Sequence, residues 1–325
     1  MHADLVAVLR CPVCGDGLEL RDRTARCGAG HAFDLAKQGY LNLLPSASSG
    51  IDGDSAEMVD ARAEFLGRGW YAPIREALVE SLPRYGEPLG GGTGQRVGEL
   101  GGGRSEQGGG LLWGGAVGDG DSRLDGVDED SASWQGEALV VEVGAGTAYY
   151  LAGVLEAGGR GIAVDVSRYA ARRAAKVDPG IGSVVADAWR ELPVRDGVAD
   201  VVLDVFAPRN AAEMARVLKP GGTLLVVTPN QGHLGELIDV LGMVSVDGEK
   251  ERRLVESLQG FERVGQRVVE STMLLDHAAI GQLVGMTPSA RHSDAAVRAE
   301  RIAGLADPMG VTLSVTVSSW RVVAG

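Results

Sequence analysis

The chain has few cysteines, few aromatic residues and no long apolar run, and each shortage excludes a class of protein. Only three of its 325 residues are cysteine, which excludes a disulfide-stabilised secreted scaffold. No apolar stretch reaches the roughly 20 residues that cross a bilayer. The segment before the first cysteine is too short and too charged for a secretory signal. We therefore predict a cytoplasmic protein without a membrane partner.

Basic residues are also scarce. Lys and Arg number 31 against 44 Asp and Glu, which gives a formal net charge of −13. This balance argues against nonspecific nucleic-acid binding through bulk charge, although a local basic surface can lie on an acidic protein. Within residues 86–136, nine acids face three bases, a deficit of six, and about a third of the residues are glycine. This composition cannot build a core and predicts a flexible insertion, with a regulatory or RNA-mimicking segment as the alternative.

Composition and spacing divide the chain into four predicted regions. They are a zinc-binding module (1–45), a helical bridge (46–85), the flexible Gly/Asp-rich insertion (86–136) and a large α/β domain (137–325). In the bridge, apolar spacing predicts two helices, and Pro73 suits the first turn of the second.

Strand-like and helix-like runs alternate throughout the last region. Apolar, β-rich runs occur at Ala138–Val143, Gly161–Val166, Gly182–Ala186, Ala199–Phe206 and Gly222–Thr228. Helical stretches separate them, which predicts a mostly parallel, doubly wound sheet of the Rossmann-like kind. Two longer runs, Arg263–Leu275 and Val311–Val323, predict an antiparallel pair at its edge.

The three cysteines all lie in the first tenth of the chain. Cys11 and Cys14 form a CxxC pair, and Cys27 follows, with His31 close behind. Three thiolates and an imidazole at this spacing can close a tetrahedron around Zn²⁺, and four protein ligands make the metal structural. The alternatives are buried cysteines beside an unrelated histidine, or His2 as the fourth ligand.

A glycine turn follows the first strand of the α/β domain. Its glycines, Gly144 and Gly146, let the turn pass close to a bound nucleoside, and Glu142 and Thr147 flank them. A dinucleotide fingerprint needs a third glycine where Tyr149 stands, so the motif disfavours NAD.

Carboxylates mark the ends of the next two strands. Asp165 lies where a carboxylate accepts both ribose hydroxyls, and Asp187 lies where an adenine edge is expected. Leu218–Gly222 forms a turn typical of class I methyltransferases. A helix cap and a turn residue are the plain alternatives for the two aspartates. Together these features predict an S-adenosylmethionine site at the strand C-termini.

The fourth strand ends in a segment that should face the methyl acceptor. There, Phe206 can stack on an extruded base and Asn210 can hydrogen-bond its edge; core packing and a helix N-cap are the alternatives. His233, after the fifth strand, is either a surface residue or one wall of the cofactor pocket. Asp204 and Asp187 are the candidates for a general base, but neither can be assigned.

A basic cluster lies on an alanine-rich helix. Its members are Arg168, Arg172, Arg173 and Lys176. A run of this kind is usually a solvated face, and contact with nucleic-acid phosphates is the alternative.

Two sequence blocks beyond the cysteines carry a family resemblance. The first runs from His31 to Pro45 and the second from Gly53 to Arg62. With the methyltransferase pattern behind them, they resemble the RlmA-type 23S rRNA guanine-N1 methyltransferases. The phrase from Val205 to Asn210 is similar to the actinobacterial macrolide-resistance branch, the tylosin and mycinamicin resistance methyltransferases. The resemblance covers roughly 85% of the chain, everything except the Gly/Asp-rich segment.

The resemblance implies a class I methyltransferase that binds S-adenosylmethionine and structural zinc. It implies zinc at the four ligands named above and cofactor contacts at Tyr71, at Gly146–Thr147 and at His233. It also implies a homodimer that methylates N1 of a guanine in a hairpin loop of 23S rRNA domain II, near the exit tunnel, and so confers macrolide resistance. The alternatives are a small-molecule methyltransferase of antibiotic biosynthesis and a non-catalytic, zinc-dependent RNA-binding protein.

Overall fold

The fold is known from a computed structural model. It describes residues 1–45, 53–83, 138–243, 250–287 and 294–323. The insertion predicted at 86–136 lies outside the described residues. No helix among the described residues is long and apolar enough to cross a membrane.

Eleven strands and ten helices make up the described part of the chain. The helices are α1 (Ala3–Ala7), α2 (Ala56–Gly67), α3 (Ala72–Glu80), α4 (Tyr149–Leu155), α5 (Arg168–Ala174), α6 (Ala211–Val217), α7 (Gly235–Leu241), α8 (Lys250–Ser257), α9 (His277–Gly285) and α10 (Ala295–Ala303). The strands are β1 (Glu19–Arg21), β2 (Thr24–Arg26), β3 (Ala32–Asp34), β4 (Leu41–Asn42), β5 (Leu139–Val143), β6 (Arg160–Asp165), β7 (Ile181–Val185), β8 (Ala199–Val205), β9 (Leu218–Pro229), β10 (Phe261–Leu275) and β11 (Met309–Val322).

The large sheet has eight strands in the order β10-β11-β9-β8-β5-β6-β7-β4. Its pairs from β9 through to β4 are parallel, and β11 runs antiparallel to both β9 and β10. The predicted class I methyltransferase fold, with an antiparallel edge, is confirmed. One detail differs, because β9 already begins at Leu218, where the sequence predicts a turn. The chain bends there at Gly221, whose φ of +79° suits glycine.

The zinc module folds as three short antiparallel strands, β1-β2-β3, behind helix α1. Its last strand, β4, leaves that small sheet and pairs in parallel with β7, with Leu41 opposite Val184 and Asn42 opposite Val185. The N-terminal module therefore supplies the outermost strand of the catalytic sheet, which its composition did not predict.

Two apolar cores cover the two faces of the large sheet. Helices α2, α3, α4, α7 and α9 fill the first face, so the two helices predicted in the bridge are confirmed as a layer on the catalytic domain. The zinc module and α6 contribute to the second face, beside strand residues such as Val141 and Val202. Because strands β5 and β8 are buried on both faces, their ends are held rigidly at the edge where ligands bind.

Candidate active site and zinc centre

The four predicted zinc ligands converge in the N-terminal module. One ligand atom from each of Cys11, Cys14, Cys27 and His31 lies within 4.8 Å of every other. The Cys14 and Cys27 sulfurs are 3.6 Å apart, and His31 Nδ1 lies 3.4 Å from the Cys27 sulfur. A tetrahedral Zn²⁺ with sulfur ligands at about 2.3 Å has neighbouring sulfurs about 3.8 Å apart. The donor set therefore fits zinc, and His31, not His2, is the nitrogen ligand in this cluster.

Tight turns hold the ligands in place. The Gly15 N–H donates to the Cys11 carbonyl (2.9 Å), and the Val13 N–H points at the Cys11 sulfur (3.4 Å). In the second half of the cluster, the Gly30 N–H donates to the Cys27 carbonyl (3.1 Å). Gly15 and Gly30 have φ values of +79° and +91°, which only glycine adopts readily. With four protein ligands in place, the zinc is structural.

The glycine turn after β5 is built as the cofactor site requires. Gly144 and Gly146 both have positive φ, at +65° and +52°. A Cβ placed on Gly144 would lie 2.7 Å from the Cβ of Ala207, so a side chain there would push the turn after β8 away. The turn therefore depends on glycine both for its conformation and for the close approach of the two loops.

Asp165 ties the glycine turn to the end of β6. Its Oδ2 accepts the Gly146 N–H (2.8 Å) and its Oδ1 accepts the Ser167 N–H (2.7 Å). Burial raises the pKa of this carboxyl, and the two backbone N–H groups act in the opposite direction. Since each carboxylate oxygen has a second lone pair, Asp165 can still accept the ribose hydroxyls of a bound nucleoside.

Glu142 lies inside the domain, below the turn. Its Oε2 accepts the Leu151 N–H in the first turn of α4 (3.2 Å), so the carboxyl reaches a backbone amide of that helix. Burial raises the pKa of Glu142 to about 8. Its contact is with α4, and it fixes the start of the helix that follows the glycine turn.

Three rings meet next to the end of β8. The ring centroids of Phe206 and His233 are 6.1 Å apart and nearly parallel, at 20°. Tyr71 lies 6.3 Å from Phe206 and 6.1 Å from His233, and its hydroxyl is 3.4 Å from His233 Nε2. Tyr71 and His233 are buried, whereas Phe206 is 40% exposed. Phe206 also has a φ of +54°, a strained value for an aromatic residue that aims its ring out of the sheet.

Asn210 is used locally. Its Oδ1 accepts the Glu213 N–H and caps α6, and its amide donates to the carbonyls of Trp189 and Arg190. Asn210 is therefore the N-cap of α6, which is the alternative role predicted for it from the sequence. These bonds also bring the loop of Trp189, a side chain that is 64% exposed, beside the turn that carries Phe206.

Asp187 lines a cleft between the zinc module and the large α/β domain. Its Oδ1 accepts the Trp189 N–H (2.9 Å), and its other oxygen lies 3.3 Å from Arg190 Nε. The cleft has a volume of about 350 Å³, and Arg10 and Pro12 of the zinc module line its opposite wall. A nucleoside edge at Asp187 would therefore also approach the zinc module.

Arg62 is a site residue to which the sequence gave no role. It projects from α2 over the glycine turn, where a Cβ on Gly146 would lie 3.2 Å from its Cδ. Its Nη2 donates to Asp54 (2.5 Å) and to the Met286 carbonyl (3.0 Å). Its Nε is buried and has no hydrogen-bond partner. The only sequence signal was its place at the end of the second family-like block.

Asp204 is fully buried at the end of β8. Neither carboxylate oxygen has a hydrogen-bond partner, and the nearest cation, Arg209 Nε, lies 3.7 Å away. Burial raises the pKa of Asp204 to about 7, while Arg209 opposes the shift. The carboxylate is closed off from solvent in this structure, and its role as a base stays a prediction.

Comparisons with known proteins agree with this geometry. The family profile described as "RlmA, N-terminal" matches residues 9–48, and the profile described as "Methyltransferase domain" matches residues 141–226. A 23S rRNA (guanine(748)-N(1))-methyltransferase of Streptomyces fradiae is 42% identical over 324 residues, covering 99% of each chain. The chain belongs to the 23S rRNA guanine-N1 methyltransferase family. As a member, it is an S-adenosylmethionine-dependent methyltransferase with a zinc ribbon at its N-terminus.

A second member of this family has the same extent. A protein of Micromonospora griseorubida, with a name of the same 23S rRNA (guanine-N(1)-)-methyltransferase class, is 41% identical over 332 residues and covers 99% of each chain. Among solved structures, the YcgJ protein of Bacillus subtilis has a TM-score of 0.39 at 16% identity and covers 58% of this chain and 93% of its own. The resemblance left out the Gly/Asp-rich segment and so implied that this segment sets the chain apart from the family. The two relatives align along their whole lengths, so it does not.

Proposed function

We propose that this protein methylates N1 of a guanine in a hairpin loop of 23S rRNA domain II, near the peptide exit tunnel, and thereby confers macrolide resistance. One observation carries the proposal. An exposed, strained Phe206 lies against Tyr71 and His233 beside the glycine turn, within a chain that matches rRNA guanine-N1 methyltransferases along its whole length. The named substrate of the Streptomyces fradiae relative supports the choice of guanine N1.

The cofactor supplies a methyl group on a sulfonium, and the chain's own residues would hold it at the strand ends. We assign the ribose to Asp165, the adenine edge to Asp187 and the close backbone approach to Gly144, Gly146 and Thr147. Arg62 lies over this turn with an unpartnered Nε, so it is our candidate for the carboxylate of the cofactor.

The acceptor base would lie on the exposed face of Phe206. A guanine extruded from its hairpin can stack on this ring, and the buried pair of Tyr71 and His233 keeps the ring from turning away. Guanine N1 carries a proton at neutral pH, and this proton must pass to a base before or as the methyl group arrives. Asp204, whose buried carboxyl has its pKa raised to about 7, and Asp187 stay the candidates for this base, and neither is assigned. We assign the rest of catalysis to positioning.

Reverse-transcriptase primer extension tests the proposal. Protein-free 23S rRNA from cells that lack the native enzyme is incubated with this protein and S-adenosylmethionine, because a methyl on N1 blocks the Watson–Crick edge and stops the polymerase. We expect a new stop in the domain II hairpin. No stop in the rRNA, together with methyl transfer to a free macrolide, would replace the proposal with the small-molecule alternative.

The homodimer implied by the family resemblance stays a prediction. Light scattering at the concentration of the methylation assay tests it directly. A monomer with full activity would show that one chain contains the whole site.

A further inference from the structure

A row of basic side chains lies on the outer side of α5. Arg168 begins the helix, Arg172 follows one turn later, and Lys176 lies in the turn after the helix end. All three are exposed. A spacing of four residues places neighbours on one side of the helix, about 6 Å apart along its axis. With Tyr169, whose side chain is 54% exposed, they form a surface that we name the cationic face.

The cations of this face are not used within the described structure. Elsewhere in it, many basic side chains have acidic partners, such as Arg160 with Asp4 and Lys219 with Asp200. On α5 itself, Arg173 pairs with Asp60. The side chains of Arg168, Arg172 and Lys176 form no hydrogen bond or ion pair with any described residue. In a chain of net charge −13, three unpaired cations in a row are unlike their surroundings.

The helix beneath the cationic face is firmly anchored. Its inner side buries Ala170, Ala171 and Ala174, and the Ser167 side chain caps its first turn and donates to the Asp54 carbonyl (2.6 Å). The inner side of α5 therefore packs into the fold. The cations on its outer side form no polar contact with the described residues that would stabilise the fold. A rigid helix also holds the charges at fixed positions, which lowers the entropy cost of binding a ligand.

The cationic face continues onto the zinc module. A Cβ placed on Gly39 would lie 3.8 Å from the Cβ of Ala175, so the loop after β3 packs against the end of α5. This loop carries Lys37, which is exposed. It is held in shape by Arg23, whose guanidinium donates to the carbonyls of Leu35 and Ala36. The basic surface therefore spans the boundary between the module and the catalytic domain.

We propose that the cationic face, together with Lys37, binds the sugar–phosphate backbone of the RNA substrate. Arginine guanidinium groups pair with phosphate through two parallel hydrogen bonds, and an exposed tyrosine offers a plane on which an unpaired base stacks. The face begins three residues after Asp165, so an RNA strand bound there would run beside the cofactor site. This inference rests on the proposed function. The cationic face would offset the repulsion between the RNA phosphates and the net negative charge of the protein.

A triple variant, Arg168→Gln, Arg172→Gln and Lys176→Gln, tests this surface. Binding of a domain II hairpin RNA is followed by fluorescence anisotropy over a series of KCl concentrations, with the intact protein. Each lost phosphate contact lowers the slope of log affinity against log salt by about 0.7 to 0.9, so we expect a loss of about 2 to 3 in all. Affinity at low salt should fall at least about 10-fold, while S-adenosylmethionine affinity stays unchanged.

The matched control removes three arginines from other helices. Arg252→Gln, Arg253→Gln and Arg298→Gln change the net charge equally but lie on α8 and α10. We expect this control to keep the salt slope of the wild type. Equal slopes and equal affinities in all three proteins, with a normal primer-extension stop, would overturn the cationic face and leave the proposed function standing. A wild type that gives no stop would instead overturn the proposed function.

Discussion

The zinc module and the catalytic domain reach a stable structure by different means. The catalytic sheet buries apolar strands on both faces, with β5 inaccessible along its whole length. In the first 45 residues, the strands have three residues or fewer, and much of the surface is exposed. A segment of that size cannot bury enough apolar surface by itself, so metal ligation and packing of its leucines into the second core stabilise it together.

The two regions are nevertheless joined over a broad contact. Leu9 bridges to Val194, Arg10 pairs with Glu191, and β4 completes the catalytic sheet. The metal therefore organises a small module whose surface is then used by the larger domain.

Cys14→Ser should have the largest effect. Cys14 is the exposed ligand, so the change leaves packing intact but removes one of four bonds to zinc. Structural zinc contributes about 10 kcal/mol or more to the folding of small modules. We expect loss of bound zinc, measured by mass spectrometry of the intact protein, and rapid hydrogen exchange over residues 1–45.

Val13→Ala is the matched control for the zinc variant, since Val13 is the exposed neighbour between the first two ligands. It should keep one zinc per chain. If Cys14→Ser also kept its zinc and its slow exchange, the module would be stabilised by docking and not by metal.

Asp165→Ala should weaken S-adenosylmethionine binding by about 10- to 100-fold, because hydrogen bonds to a charged group contribute about 1.5 to 3 kcal/mol. The change also frees the Gly146 and Ser167 N–H groups. Isothermal titration calorimetry measures the affinity. Asp178→Ala, which removes a similar turn contact at Gly180, should bind the cofactor normally. Unchanged affinity in the Asp165 variant would contradict the ribose assignment.

Phe206→Ala should lower kcat/KM for rRNA by about 5- to 100-fold, since stacking of a base on an aromatic ring contributes about 1–3 kcal/mol. Cofactor affinity should change little. Phe206→Tyr keeps the ring and should restore activity. Equal rates for the alanine and tyrosine variants would show that the acceptor base does not stack there.

Glu142→Gln should have the smallest effect on activity, and it should appear as a change in the pH dependence of stability. The folded-state pKa of Glu142 is raised to about 8, so the folded protein retains a proton that the unfolded chain has already lost. Stability from this group is therefore lost as pH rises from about 4.3, the unfolded value, towards 8. The variant should reduce this decline by up to about 1 kcal/mol per pH unit in denaturant unfolding. Glu262→Gln, at an exposed position, should keep the wild-type slope.

Much of the fold could be predicted from the sequence. Buried parallel strands appear as short apolar runs, and helices appear as apolar residues that recur about every 3.6 positions. The zinc ligands and the glycine turn were also predictable, since each is a local motif with a fixed spacing. The rest depends on distant contacts. The two residues of β4 are too few to show a pattern, and Arg62 and Trp189 reach the site only when α2 and the loop after β7 fold against it.

Because β4 belongs to the zinc module and pairs with β7, zinc binding also affects the margin of the large sheet. A strand at the margin of a sheet offers unpaired N–H and C=O groups to any other chain, and proteins protect such margins to avoid aggregation. Here Leu41 and Asn42 cover part of β7, an apolar strand that would otherwise be open along that side. Zinc loss would release this cover. We therefore expect zinc depletion to promote aggregation of the protein as well as unfolding of the module.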